Sequence, residues 1–486
     1  MAFDNLAEFI SQLQDDGDLV RISAEVDPYL ELAAITNRLC KSSSESPAVF
    51  FENVKGRSMP VVTNLLGSQR RICKALGAAT FDAVTDRING LVRPEVPQGW
   101  VQTLKLIPQV VELTRLPPQT VKTGDSQQVV KMGRDVDLRE LPIPHCWPND
   151  AGPTITAGQV FTQNLETGVR NVGVYPLEVR GRDQLAIHWN AHQGGYRNYL
   201  SYRKQRRQMP VAIALGGDPS LTFAATSPFS ANTDECLLAG FLRGKSIDLV
   251  RGRSIELDVP ADAEIVLECL IDTSAESESV GPIGQATGYY SLPCEQPIMQ
   301  VTALTHRSNP MLPAIIPGPP PTEDYWLGKA AERVFLPFMK LHVPELVDLN
   351  WPRCGVHRNL LFASIRKEYP GQARKVMHAL WGLNELMVAK MIIIVDESVD
   401  VQDEEQVWFT VGANAHPGRD VVFCEGPTHA SDHAAPVMAM GHKLGIDATQ
   451  KRPEEGHPRP WPESLQMPPE IDELIARRWS EYGFEH

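Results

Sequence analysis

The order of apolar and polar positions along the chain sets out alternating helices and strands. Leu6–Leu13 carries apolar residues at helical spacing and ends near Gly17; Leu19–Val26 then alternates like a strand, and Tyr29–Cys40 returns to the helical period. Pro47–Glu52 and Pro60–Asn64 are short apolar runs bounded by Pro and Gly, the pattern of buried strands. A Pro-rich stretch from Arg93 to Pro118 reads as the exit from this first unit.

The texture then changes. Short β-branched runs recur between turn residues at Ile155–Phe161, Asn171–Val179, Gln184–His188, Val211–Leu215, Ile265–Ile271 and Ile298–Leu304, with a helix at Asn232–Leu242. This pattern predicts a β-rich central domain. The Gly/Pro-dense segment Pro313–Pro321 reads as a linker or a ligand-facing loop. Beyond it come a helix near Trp326–Leu341, a strand at Leu360–Ile365, a helix at Gly371–Lys390, a strand at Met391–Val395, a helix at Asp403–Ala413 and a strand at Asp420–Cys424. That alternation predicts an α/β unit on a parallel sheet, and a polar tail follows with a helix at Pro469–Tyr482. The whole is a multi-domain α/β chain with expected units at 1–115, 116–310 and 311–455 and a tail at 456–486.

Composition narrows the function. A net charge of -14 argues against nucleic-acid binding, which needs Lys and Arg to displace phosphate counterions. The eight cysteines are scattered without a CxxC pair, so reduced, buried thiols in the cytoplasm are expected rather than a disulfide framework or a zinc site. The N-terminus carries acids where a signal peptide needs basic residues, and no apolar run is long enough to span a membrane. There is no HExxH, no GxSxG and no dinucleotide fingerprint.

Three segments carry chemistry: Asn171–Val172–Gly173–Val174–Tyr175–Pro176 on a strand, His188–Trp189–Asn190–Ala191–His192–Gln193–Gly194–Gly195 running from a strand into a turn, and Thr233–Asp234–Glu235–Cys236 opening a helix. An amide oxygen from Asn171, an imidazole from His192 and a carboxylate from Glu235 form a mixed set suited to Mn2+ or Mg2+. On the residues alone, single Asn, His and Glu side chains spread over a β domain are more often structural than metal ligands.

The ordered set of motifs resembles the UbiD-type decarboxylases. It comprises Pro47–Gly56, the NVGVY run from Asn171, His192–Gly195, Ala263–Glu268, Gly281–Pro282–Ile283–Gly284 followed by Thr287–Tyr290, and Gly445–Thr449, and it covers the chain from about residue 5 to 455. The resemblance implies a split β-barrel of the flavin-reductase type between two α/β domains, binding prenylated FMN whose phosphate is held through Mn2+ and usually K+. It places Asn171, His192 and Glu235 at the metal. Val174, Tyr175, Pro176, His188, Trp189, Asn190, Gln193 and Gly194 fall where the flavin is contacted, and Lys451 where a phosphate-side lysine stands. It further implies a small carboxylic acid as substrate, a flavin prenyltransferase as cofactor supplier, and a homo-oligomer, dimer or larger.

The sequence also departs from that family. The Arg that pairs with the substrate carboxylate is replaced by Pro176, and the two acids of an E-G-P-x-G-[ED] pattern by Val280 and Gln285. Gln285 has no titratable proton to give. Glu278, in a loop one residue longer than the pattern, is the expected substitute acid, and His188 stands where many members carry Arg. Two readings follow: a non-oxidative (de)carboxylase of an aromatic or α,β-unsaturated acid, or a UbiD-like flavin-binding protein or partner subunit that no longer does chemistry.

Overall fold

The computed structural model describes residues 3–43, 45–92, 116–227, 234–356, 358–384, 386–463 and 465–484. Most of the Pro-rich stretch that opens at Arg93, and the first two residues expected of the helix at Asn232, lie outside them.

The first sheet joins Leu19–Val26, Ala48–Val54, Val61–Thr63 and Leu312–Ala314. Its first two strands run parallel, joined by the helix Glu31–Ser42. Helix Leu6–Asp15 buries Leu6, Phe9, Ile10 and Leu13, the spacing that one helical face presents to a core. Asn5 caps it by accepting from the Glu8 amide. The segment expected as a loop from Pro313 thus begins as a strand of this first sheet, against Val61–Thr63.

The central sheet has nine strands and curls into a half-barrel. Its path runs from Thr154–Ile155 through Leu177–Val179, Gln184–Ile187, Ile298–His306, Ile265–Ile271, Met209–Leu215 and Gln159–Gln163 to Arg170–Val174, while Val129–Met132 pairs beside Ile298–His306. All of Ile265–Ile271 except Leu270 is buried, so this apolar run sits between two packed layers. At roughly 1.5–3 kcal/mol per large apolar side chain, such strands carry much of the domain's stability. The expected strand Asn171–Val179 is two strands, Arg170–Val174 and Leu177–Val179. The break falls at Tyr175–Pro176, where proline has no N–H for the ladder.

The last sheet has the order Leu346–Asn350, Leu360–Ile365, Met391–Asp396, Met440–Asp447, Val421–Pro427. Only its middle three strands are parallel; both edges pair antiparallel, so the expected parallel sheet is mixed. The helix expected over Gly371–Lys390 spans Gln372–Gly382, and its C-cap, Leu383, has extended backbone. The 20-residue helix Glu323–His342 links this unit to the first, since Thr85 Oγ1 donates to the Arg333 carbonyl at 3.1 Å. Helix Pro469–Arg478 buries no residue. Among the described residues no helix is long and apolar enough to cross a membrane.

Candidate active site

Strand Arg170–Val174 collects the three expected metal-binding positions at one end of the half-barrel. Arg170 reaches Asp234 at 3.0 Å, and Asp234 caps the helix Glu235–Arg243 by accepting from the Cys236 amide at 3.0 Å. This docks the helix start on the strand, so that Glu235 Oε2 accepts from the Val172 amide at 2.7 Å. Burial pushes the Glu235 carboxyl up to about 8 against the pull of that hydrogen bond. Asn171 Oδ1 lies against Gly194, where any Cβ would overlap it. Gly194 opens the helix Gly194–Lys204, which follows directly on the turn of His192. That turn is closed by Gln193, whose amide binds the Asn190 carbonyl at 3.0 Å and whose Oε1 accepts from the Asn190 amide at 2.9 Å. Sequence reasoning misses this helix, because Gly194–Gly195 reads as a turn rather than a start. His192 is half-buried, and burial and then Arg197 hold its pKa below the ordinary value. Among the described residues no three His, Cys, Asp or Glu side chains group as metal ligands; the expected trio has only two such groups and one amide.

The expected flavin contacts line the same region. Tyr175 lies under Gly173 and Gly195, accepting from the Gly195 amide at 3.3 Å and from Asn171 Nδ2 at 3.4 Å. Trp189 is buried edge-on to Tyr175, its Nε1 without a hydrogen-bond partner, while its carbonyl accepts from Gln296 at 2.9 Å. Val174 and Pro176 are half-buried beside them, and the Pro176 carbonyl accepts from the His188 amide at 3.0 Å. Lys451, expected on the phosphate side, is buried, and its ammonium donates to Asp447 Oδ1, the Asp447 carbonyl and the Thr449 carbonyl at 2.9, 2.9 and 2.6 Å.

The three departed positions, Pro176, Val280 and Gln285, all lie among the described residues. Val280 is fully buried on the hairpin Glu278–Val280/Cys294–Gln296. Gln285 is half-buried in the loop Gly281–Tyr290, which Asp150 fixes by accepting from the Gly284 amide at 2.7 Å. The side chain of Glu278 is 58% exposed and pairs with Arg180 at 3.7 Å.

Sequence reasoning missed the other wall of the site. The residue after Gln285, Ala286, faces an open cleft of about 440 Å³ whose far side is Asp324, Tyr325, Arg353 and Arg358. Burial raises the Asp324 carboxyl to about 6, against the attraction of Arg358. The Arg358 guanidinium stacks over Trp351 at 4.6 Å. His429 is pushed down to about 4 by burial, by Arg358 and by His192, so it is neutral at pH 7 and ties this wall to the expected metal turn. Tyr289 and His433 stack across the same seam at 4.2 Å. The one sequence signal was the Gly/Pro-dense loop before Asp324; Arg358 and His429 sit in stretches with no motif.

This arrangement has counterparts over the whole chain. Residues 10–89, 119–320 and 325–448 match the N-terminal, Rift-related and C-terminal domains of 3-octaprenyl-4-hydroxybenzoate carboxy-lyase, respectively. Two uncharacterized proteins are similar end to end: one from Aquifex aeolicus, 41% identical over 481 residues, and one from Archaeoglobus fulgidus, 37% identical over 483 residues, each alignment covering 99% of both chains. The closed form of Sedimentibacter hydroxybenzoicus vanillic acid decarboxylase superposes with a TM-score of 0.88 at 28% identity over 100% of both chains. An evolved dimeric form of the UbiD-class enzyme HmfF from Pelotomaculum thermopropionicum, in complex with prFMN, gives 0.78 at 27% identity over 98% of this chain and 100% of its own. With three consecutive family domains and full-length relatives on the same scaffold, the chain belongs to the UbiD family of carboxy-lyases.

Proposed function

We propose that the chain is a non-oxidative (de)carboxylase of an aromatic or α,β-unsaturated carboxylic acid. It would use prenylated FMN and Mn2+, with K+ beside it, in a split barrel of the flavin-reductase type spanning about residues 116–310. The observation that carries this reading is the cleft between Ala286 and the Asp324–Arg358 wall, which supplies from the last unit the charged groups that Pro176, Val280 and Gln285 lack.

The residues present fit the cofactor. Asn171, His192 and Glu235 would hold the metal, and a buried carboxyl pushed up to about 8 is a group that a divalent cation would relieve. Tyr175, Trp189 and the glycines at 173, 194 and 195 would hold the flavin, where added Cβ atoms would meet Tyr175 or Asn171. Prenylated FMN supplies an electron sink for the carbon that loses CO2.

The chain's own residues would do the rest. Arg358 would orient the substrate carboxylate by a charge-assisted hydrogen bond. Its hold relaxes as the carboxylate becomes neutral CO2 and the electron pair stays with the carbon left behind, so binding energy is not retained by the product. Asp324, with a pKa near the working pH, would deliver the proton from its carboxyl oxygen to the carbon left behind. A proton donor for a buried carbon is better drawn from this half-buried acid than from exposed Glu278. Neutral His429 would offer a hydrogen bond without competing for the carboxylate. The active unit would be a cytoplasmic homo-oligomer fed by a flavin prenyltransferase.

Fully buried Val280 at an aligned acid position favours the second reading, a flavin-binding relative or partner subunit without chemistry. One experiment separates the two: the chain, produced beside a flavin prenyltransferase, is assayed for CO2 release from a panel of aromatic and acrylic acids, with the bound cofactor identified by mass. Turnover supports the first reading; bound prenylated flavin with no turnover supports the second.

A further inference from the structure

Behind the loop Gly281–Tyr290 a thiol, an imidazole and a carboxylate stand in series. Glu178 lies on the strand Leu177–Val179, opposite Ala186 of the neighbouring strand. His188 is two residues beyond Ala186, so the alternation of the strand returns it to the same face, diagonal to Glu178. The His188 Nε2 atom is buried, has no hydrogen-bond partner at normal distance, and lies 3.6 Å from Glu178 Oε2. That carboxylate is fixed in turn by the Gly281 amide at 2.8 Å. The thiol of Cys294 stands beside the His188 ring, since Gln296 Nε2 donates both to the carbonyl of the next residue, Trp189, at 2.9 Å and to Cys294 Sγ at 3.7 Å. Cys294 is half-buried at the start of its strand, directly across the ladder from Val280 and next to exposed Pro293 and Leu292. Nothing in the proposed decarboxylation uses this thiol.

We propose that Cys294 is a nucleophilic modification site, held as a thiolate by His188 and oriented through Glu178, which reacts with small soft electrophiles and exchanges with low-molecular-weight disulfides. The exchange step balances within those partners. The Cys294 sulfur attacks one sulfur of the disulfide, a new S–S bond forms as the old one breaks, and the departing thiolate takes a proton from solvent. Cys294 is oxidised and one half of the reagent is reduced.

The charges around the group agree. An imidazolium carries two N–H donors, enough for both Cys294 and Glu178. Burial opposes the charge on His188, but these two partners outweigh it and hold its pKa above the ordinary value. The His188 hydrogen bond, against the effects of burial and of neighbouring Glu295, holds the Cys294 thiol below its ordinary value. Glu178 is kept ionised, against burial, by His188, the Gly281 amide and Arg180. Other cysteines provide the contrast within one molecule. Cys354 is exposed, yet burial of its sulfur and the nearby Glu404 raise it to about 11. Accessibility without a cationic partner gives a poor nucleophile.

The test is site-resolved alkylation of the purified full chain with limiting iodoacetamide at pH 7, read by peptide mass. Cys294 should react at least ~10-fold faster than Cys354, as a lowered thiol pKa implies. His188→Gln should bring it down to the Cys354 rate, and Glu178→Gln should lower it part of the way. Oxidised glutathione should add one glutathionyl group, on the Cys294 peptide, reversed by dithiothreitol. The rate at Cys354, and protection of buried Cys236 and Cys269, report on folding in each variant. Cys294 reacting no faster than Cys354, an unchanged rate in folded His188→Gln, or glutathionylation elsewhere would each overturn the proposal. Because the readout is labelling, it stands or falls apart from any decarboxylase activity.

Discussion

The Val172 amide donates to Glu235 Oε2 at 2.7 Å, so the helix that begins at Glu235 is fastened to the backbone one residue from Asn171. Any movement of that helix start therefore moves Glu235 relative to Asn171. Glu235→Gln keeps an acceptor for the Val172 amide but removes the formal charge. We expect the fold to persist while metal and flavin are lost together, measured by elemental analysis and visible absorbance of the purified chain. Unchanged metal content would sink the assignment of Glu235 as a ligand.

Asp324 sets the pH dependence. A donor must carry its proton, and this carboxyl is half-protonated at about pH 6. Turnover should thus fall as pH rises through 6, and Asp324→Asn should abolish that limb while lowering kcat by ~10²–10⁴-fold. A pH–rate profile of both proteins is the measurement, and an identical limb in the variant would assign the proton to another group.

Arg358 should behave differently. Removing a charge-assisted contact costs about 1.5–3 kcal/mol, or roughly 10–150-fold in kcat/KM. Arg358→Gln should show that loss mainly in KM, with flavin content unchanged. Equal losses of flavin and activity would move Arg358 from substrate to cofactor.

How much of this was legible in the sequence depends on whether the signal was local. Leu19–Val26, Ile265–Ile271 and Leu360–Ile365 appear with the bounds that their own apolar patterns set. The break between Arg170–Val174 and Leu177–Val179 also has a local cause, because the missing N–H is a property of Pro176 alone. The edges of the last sheet were not legible, since strand direction is decided by partners far apart in the chain, such as Val421 with Ile446. The same holds for the site. Asn171, His192 and Glu235 stand in motif-bearing runs, whereas Asp324, Arg358 and His429 come from separate stretches of the last unit and approach one another only through its packing. The Lys451 hydrogen bonds to Asp447 are likewise seen only in the folded chain.

Glu323, the neighbour of Asp324, offers a test of folding energetics. It is buried, accepts from the Leu66 amide at 2.7 Å, and burial raises its carboxyl from the ordinary 4.5 to about 7 despite that bond and Arg71. The folded chain therefore holds this proton to higher pH than the unfolded chain. The stability this contributes is present below pH 4.5 and lost as pH rises through 7, an effect on the order of 3 kcal/mol. Glu323→Gln carries no such penalty. The difference in Tm, variant minus native, should rise between pH 4.5 and 8, and a difference independent of pH would show that Glu323 ionises freely in the fold.

Gly194 separates binding from stability. Its backbone is helical, not left-handed, so alanine suits it conformationally, and Gly→Ala within a helix is ordinarily favourable by about 0.5–1 kcal/mol. Space is the obstacle: the added Cβ would overlap Asn171 Oδ1, forcing the amide off the position from which it would meet the metal. The three nearest atoms the Cβ would meet all belong to this one side chain and none to backbone, so Gly194→Ala should leave Tm within a few degrees of native while metal and flavin content fall together. Gly382→Ala is the control, since a Cβ there meets nothing within 4 Å at the end of a helix far along the chain. It should keep both cofactor signals. Gly194→Ala that retains metal and flavin at native levels would show that Asn171 does not need this position, and would remove it from the ligand set.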